Sequence, residues 1–115
     1  DEMMMMVYAL RWTEFLRPSD ASISYDDIPW IPVLAETRLG MDDGVEKFDI
    51  LGISDHATHE EKKQAVRAAS LRWHPDKFTQ AFGRRLLEKD RGRVMESVKL
   101  MSQRINQLKD RLRAR

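Results

Sequence analysis

The stretch that decides the fold runs from residue 58 to residue 77 and reads THEEKKQAVRAASLRWHPDK. Thr58 and Glu61 have the spacing of a capping box, in which each side chain accepts the backbone N–H of the other residue. A helix is therefore predicted to begin here and to run to Trp73. Its inward face repeats at i, i+3, i+4 and i+7 and comprises Val66, Ala69, Ser70 and Trp73.

The tripeptide His74-Pro75-Asp76 closes this stretch. Because the residue before a proline avoids the helical region, Pro75 predicts that the helix ends at His74. Asp76 is well suited to cap a following short helix, which we expect over residues 78–88. On residue chemistry alone the tripeptide is equally well explained as a docking signal and as a structural turn.

The last segment, residues 92–112, carries the clearest helical pattern in the chain. Its apolar residues are spaced 4, 3, 4, 3 and 4 apart, which is an a/d seam, and they are Val94, Val98, Met101, Ile105, Leu108 and Leu112. We expect an antiparallel helical pair with Val66, Ala69 and Trp73 facing Val94, Val98 and Met101. Beyond Ile105 the seam is predicted to extend past the end of its partner helix. Leu108 and Leu112 must then contact the N-terminal helix, another subunit or water. We favour the N-terminal helix.

The N-terminal part predicts a helix over residues 3–16 that Pro18 ends. The apolar face of this helix is formed by Tyr8, Trp12, Phe15 and Leu16. The following IPWIP motif, residues 28–32, should be extended. Trp30 at its centre is interpreted as a buried anchor, in preference to a partner site. Further along, the pattern predicts a short helix over 33–39, a turn over 40–44 and a helix over 45–51 closed by Gly52.

Composition limits the class of protein. The chain has 115 residues, of which 42% are hydrophobic and 34% charged, so a single core with solvated helix faces is expected. Cysteine is absent, which excludes a disulfide framework and a thiol nucleophile. No apolar run is long enough to span a bilayer, and the acidic start is a poor secretory signal. We therefore expect an intracellular protein without membrane contact.

Charge is divided unevenly along the chain. Residues 1–56 hold 4 basic and 12 acidic side chains, whereas residues 57–115 hold 16 basic and 7 acidic ones. This opposition allows the halves to attract each other, or leaves the C-terminal half free to meet an acidic protein face or RNA. The final basic helix has no aromatic residue from Arg91 onward to stack on bases, so any RNA contact there would be nonspecific phosphate attraction.

Enzymatic function is disfavoured by the residues present. The histidines His56, His59 and His74 have no cysteine, serine elbow or glycine-rich phosphate loop around them. They also lack the ligand spacing of a structural zinc site. No catalytic residue, metal or cofactor is therefore predicted.

The segment FDILGI at 48–53, Glu60-Glu61 opening a basic helix, and Trp73-His74-Pro75-Asp76-Lys77 together resemble a J domain over about residues 45–105. The resemblance implies an all-α fold in which an antiparallel helical pair is joined by an HPD loop. It implies a non-enzymatic co-chaperone that docks on a DnaK-type chaperone and stimulates its ATPase. The residues that the resemblance assigns to docking are His74, Pro75 and Asp76, the steering bases Lys63, Arg67 and Arg72, and the supporting Lys62 and Lys77.

The chain also departs from the usual J pattern. Lys62 replaces an apolar residue, Val66 and Ala69 are small, and the connection from Asp76 to Val94 is long. The stretch from Arg72 to Phe78, with the upstream IPW sequence and without a C-terminal fourth-helix motif, resembles the C-terminal J-like region of the NF-kappa-B inhibitor-like protein 1 family. That resemblance implies a nuclear adaptor in an RNA-processing (splicing) assembly as the alternative function. We divide the chain into an N-terminal helix and extended segment, 1–44, that pack on a J-like domain, 45–115.

Overall fold

The computed structural model describes residues 2–31 and 56–113, with side chains from Met6 onward. Within these ranges the chain forms four α-helices: α1 (Glu2–Phe15), α2 (His59–Arg72), α3 (Pro75–Phe82) and α4 (Glu88–Arg113). Two short 3-10 turns, Tyr25–Asp27 and Gly83–Arg85, complete the regular structure of the described ranges. The all-α prediction is confirmed. The elements predicted at 33–39, 40–44 and 45–51 lie outside the described residues.

Helix α2 begins where the capping box predicts. The hydroxyl of Thr58 accepts the backbone N–H of Glu61 at 3.0 Å, and a carboxylate oxygen of Glu61 accepts that of Thr58 at 2.9 Å. These reciprocal bonds satisfy two donors that a helix start leaves unpaired. The helix ends at Arg72 because His74, which precedes a proline, has extended backbone angles of φ −66° and ψ 122°.

Helix α3 differs from its prediction in both bounds. It begins at Pro75 instead of residue 78, and its N-cap is His74 instead of Asp76. Proline suits the first helical position, where no N–H is needed, and this places Asp76 inside the first turn. The helix also stops at Phe82, well before residue 88, and the chain passes through the Gly83–Arg85 turn to Leu86.

Helix α4 is longer than predicted, since it starts at Glu88 and not at Gly92. All six residues of the seam are buried as expected: Val94, Val98, Met101, Ile105, Leu108 and Leu112. The N-terminal part of α4 lies beside the Tyr25–Asp27 turn, where the hydroxyls of Tyr25 and Ser97 are 3.1 Å apart.

The pairing of α2 with α4 is antiparallel, because His59 at the start of α2 and Arg113 at the end of α4 border the same groove. Leu112 borders that groove together with Val66. The prediction that the seam extends past the end of α2 beyond Ile105 is therefore wrong. The early part of α4 is occupied by α3 and the Tyr25–Asp27 turn, which leaves its C-terminal part to lie along α2.

Helix α1 packs on the junction between α2 and α3. The ring of Trp12 meets that of Trp73 edge to face at 5.5 Å, and the ring of Phe15 lies 4.9 Å from that of Phe82. Leu16, predicted on the same face, is 54% exposed, although its backbone N–H still donates to the Trp12 carbonyl at 2.9 Å. Leu112, at the end of the α4 seam, lies beside α2. The prediction that α1 covers this residue is therefore wrong.

The extended segment after α1 is held by both side chains and backbone. Trp30 is 8% exposed and stacks on Trp73 at 5.4 Å, which confirms it as a buried anchor. Ile23 forms a parallel bridge with Leu86, donating to the Arg85 carbonyl at 2.7 Å and accepting from Leu87 at 2.9 Å. The described N-terminal residues therefore share one core with α2, α3 and α4.

Candidate functional site

The tripeptide His74-Pro75-Asp76 forms a tight junction between two helices. Only Trp73 and His74 lie between α2 and α3, and Pro75 is already helical. The predicted sharp turn is present, but two of the three residues belong to the first turn of α3. His74 and Asp76 are both exposed, so the junction presents an imidazole and a carboxylate side by side.

A hydrogen bond fixes the orientation of the imidazole. The backbone N–H of Asp76 donates to Nδ1 of His74 at 3.2 Å. An accepting Nδ1 carries no proton, so in the neutral ring the proton is on Nε2. The exposed imidazole therefore offers a donor from Nε2, while the Asp76 carboxylate offers an acceptor next to it.

The residues on either side of the tripeptide anchor it to the core. Trp73 is fully buried, and its ring contacts those of Trp30, Trp12 and Phe78. Phe78 is 1% exposed, and its backbone N–H donates to the His74 carbonyl at 2.8 Å. Aromatic anchors one residue before and two residues after the tripeptide leave little freedom for its backbone.

The predicted basic residues are divided among four environments. Lys63 and Arg67 are exposed on α2 and border the groove toward α4. Lys77 is exposed on α3, near the tripeptide. The guanidinium of Arg72 lies 4.3 Å from the centre of the Trp12 ring, a cation–π geometry that also ties α2 to α1.

Lys62 differs from the other predicted bases because it is 7% exposed. It precedes Val66 by four residues and therefore lies on the inward face of α2. The sequence contained the signal for this placement, since this position is usually apolar in the J pattern. The structure does not bring Lys62 to the basic surface that holds Lys63 and Arg67.

Two basic residues of α4 were not assigned to this site from the sequence. Lys109 and Arg113 border the same groove as Lys63 and Arg67. An antiparallel pair places the end of α4 beside the start of α2, in a register set by the packing of α3 and the Tyr25–Asp27 turn on the early part of α4. The sequence pattern pairs α2 with Val94, Val98 and Met101, so it attributes these two bases only to the solvated or RNA-contacting face of the last helix.

The pKa of Glu61 is lowered by the hydrogen bond from the Thr58 backbone and next by that from the Thr58 hydroxyl, so the capping carboxylate is favoured in its charged form.

Among residues 2–31 and 56–113 no group of three or more histidine, cysteine or acidic side chains is arranged to hold a metal ion. None of the described helices is both long and apolar enough to cross a membrane.

Comparison with known proteins supplies the family. The model of the NF-kappa-B inhibitor-like protein 1 C-terminal domain matches residues 47–113. DnaJ homolog subfamily B member 6 of Xenopus tropicalis is 48% identical over 33 residues, which are 29% of this chain and 14% of that protein. The same protein of Homo sapiens and of Gallus gallus is 46% identical over 33 residues, 29% of this chain and 10% of each relative.

The chain thus spans only about a tenth to a seventh of the curated relatives it matches. No solved structure matches it. The family match, in contrast, covers more than half of the chain and includes α2, the His74-Pro75-Asp76 junction, α3 and α4. This chain therefore belongs to the NF-kappa-B inhibitor-like protein 1 C-terminal domain family and is J-domain-like.

Proposed function

We propose that this chain docks on a DnaK-type chaperone through the His74-Pro75-Asp76 junction and stimulates the chaperone's ATPase. The observation that carries the proposal is the joint exposure of His74 and Asp76 on a backbone that Trp73 and Phe78 anchor. A rigid pair of polar groups loses little conformational entropy when a partner binds it.

The chemistry of such docking follows from the groups presented. The Asp76 carboxylate can accept a charge-assisted hydrogen bond from an arginine of the partner, and the His74 imidazole can donate from Nε2. Lys63, Arg67 and Lys77 would raise the rate of association with an acidic partner surface. In this proposal the chain is not an enzyme, because ATP is hydrolysed by the partner.

The comparisons support the proposal at the level of the family. The curated relatives are named as DnaJ homologs, and their similarity to this chain extends over 33 residues. A DnaJ-like domain suggests a partnership with Hsp70-type chaperones in general. The docking itself and the stimulation of ATP hydrolysis are proposed for this chain.

The test is the steady-state ATPase rate of a DnaK-type chaperone with and without this chain. We expect stimulation by the wild type and its loss with His74→Gln and with Asp76→Asn. Asp20→Asn is the matched control, since it neutralises an exposed carboxylate far along the chain from the junction. Circular dichroism checks that each variant is folded.

The outcomes separate the proposal from a purely structural junction. Stimulation that both junction variants retain would contradict docking through His74 and Asp76. A rate unchanged by the folded wild type would contradict the co-chaperone function altogether.

A second candidate is an adaptor in a nuclear RNA-processing assembly that does not stimulate a chaperone. Two observations favour it: Lys62 is withdrawn into the core, and the connection after α3 is bridged to Ile23 of the N-terminal segment. Both depart from the usual J pattern. This candidate predicts the null ATPase result together with capture of the folded chain by a nuclear assembly.

Direct RNA contact would belong to this second candidate, but several arginines are already engaged. Arg93 lies 3.7 Å from the centre of the Tyr25 ring, Arg85 donates to the Ala21 carbonyl, and Arg91 pairs with Glu88. A titration with single-stranded RNA at increasing salt measures how many phosphate contacts remain. Absence of binding at low ionic strength would remove RNA from the proposal.

A further inference from the structure

A groove of about 630 Å³ lies between α2 and the last two turns of α4. Its position is distinct from the His74-Pro75-Asp76 junction. The groove extends along α2 from His59 to Leu71, and none of the three junction residues lines it. The groove is therefore open to a separate binding event.

The border of the groove is strongly basic. It carries Lys63 and Arg67 from α2, and Lys109 and Arg113 from α4, while no acidic residue lines it. In the described part of the chain, no hydrogen bond or ion pair engages these four side chains. Four unpaired like charges around one concavity repel one another, and a bound anionic group relieves that repulsion.

The inner surface of the groove is apolar. Val66 and Leu112 are 3% and 5% exposed and form its floor, whereas Leu71 is 60% exposed at its edge. An occupant with apolar side chains would complement this surface.

The lining contains no phenyl, phenol or indole ring on which a base could stack, and its one aromatic ring is the imidazole of His59. A large exposed leucine within a ring of cations matches a peptide better than a polynucleotide, whose phosphates gain nothing from Leu71. The volume lies within the range of sites that hold several buried side chains. The exposed leucine among the four cations thus points to a peptide, whose anionic groups are carboxylates.

We propose that this groove binds an acidic, leucine-containing peptide segment of a partner protein. Glutamate or aspartate side chains of the segment pair with Lys63, Arg67, Lys109 and Arg113. A leucine of the segment packs between Leu71 and Leu112. This site does not depend on the chaperone docking proposed for the junction, although Lys63 and Arg67 can contribute to both.

The experiment is a fluorescence anisotropy titration of the full chain with a labelled peptide of repeated Glu-Glu-Leu units. Two comparison probes are a polyglutamate peptide of equal length and a polyuridine oligonucleotide. We expect saturable binding that weakens with added salt and is tightest for the peptide that contains leucine.

The groove variant combines Lys109→Glu with Arg113→Glu and leaves the junction unchanged. We expect its affinity for the Glu-Glu-Leu peptide to fall at least about tenfold, which corresponds to about 1.4 kcal/mol. The matched control combines Lys89→Glu with Lys99→Glu, two exposed lysines of α4 that do not line the groove. The control has the same net charge, so it is expected to lose much less affinity.

A second variant, Leu71→Ser, tests the apolar contact and should abolish the preference for the leucine-containing peptide over polyglutamate. His74→Gln should bind the peptide as the wild type does, which separates this site from chaperone docking. Sedimentation of the wild type is expected to show a monomer under these conditions.

Four results would overturn the proposal. They are absence of peptide binding, equal losses in the groove and control variants, tighter binding of polyuridine than of the peptide, and a wild-type dimer that Leu71→Ser dissociates. The third result would assign the surface to nucleic acid, and the fourth would assign the groove to a second copy of this chain.

Discussion

Replacing Trp30 tests whether the N-terminal segment is an integral part of the core. Its side chain is 8% exposed, its ring lies 4.9 Å from Tyr25 and 5.4 Å from Trp73, and its Nε1 donates to the Tyr25 carbonyl at 3.1 Å. Burial of roughly 200 Å² at about 25 cal/mol per Å² gives an upper bound of about 5 kcal/mol. Trp30→Ala is therefore expected to lower the free energy of unfolding by about 4 kcal/mol.

The assay is urea denaturation followed by circular dichroism, which does not depend on the fluorescence of any one tryptophan. A loss of this size is a large part of the total stability of a domain, so Trp30→Phe provides a milder step of about 1–2 kcal/mol. Leu10→Ala, at a residue 64% exposed, is the control and should change the stability by less than about 0.5 kcal/mol.

A loss below about 1 kcal/mol for Trp30→Ala would refute the reasoning. It would mean that the packing of Trp73 does not depend on the segment around Trp30. The junction would then be held by α2, α3 and α4 without help from the N-terminal residues.

Two further predictions concern the helices that carry the site. Gly92 lies inside α4, and a Cβ added there meets nothing within 4 Å, so Gly92→Ala should raise the free energy of unfolding by about 0.5–1 kcal/mol in the same urea assay. Because the pKa of Glu61 is lowered in the folded chain, its contribution to stability is present above the unfolded pKa and is lost as the pH falls through the folded pKa. As the pH falls below 4.5, the usual pKa of a glutamate, the wild type should therefore lose stability more steeply than Glu61→Gln, and parallel curves would contradict the role of the capping carboxylate.

The N-terminal segment gives a physical account of the long connection between the tripeptide and the α4 seam. Ile23 is 2% exposed and bridges to Leu86, and the Tyr25 backbone N–H donates to Asp90 at 2.9 Å. These bonds join residues that are more than sixty positions apart in sequence. The connection that departs from the usual J pattern is thus fastened by a part of the chain that precedes the helical pair.

Local sequence was sufficient to predict the elements whose signals are themselves local. The capping box of Thr58 and Glu61, the proline stop after His74 and the heptad spacing of α4 each depend on residues within a turn or two. The burial of Trp30 and Trp73 also followed from their patterns. These features predicted an all-α fold with a sharp, polar junction between helices.

The register of the helical pair was decided by tertiary packing. Leu112 lies beside Val66 because α3 and the Tyr25–Asp27 turn occupy the early part of α4, a competition that no spacing along one helix reveals. The same register brings Lys109 and Arg113 to the groove of Lys63 and Arg67. The sequence alone determined which residues carry charge and which apolar residues are expected to be buried, whereas the long-range contacts determined which of those charges face one another.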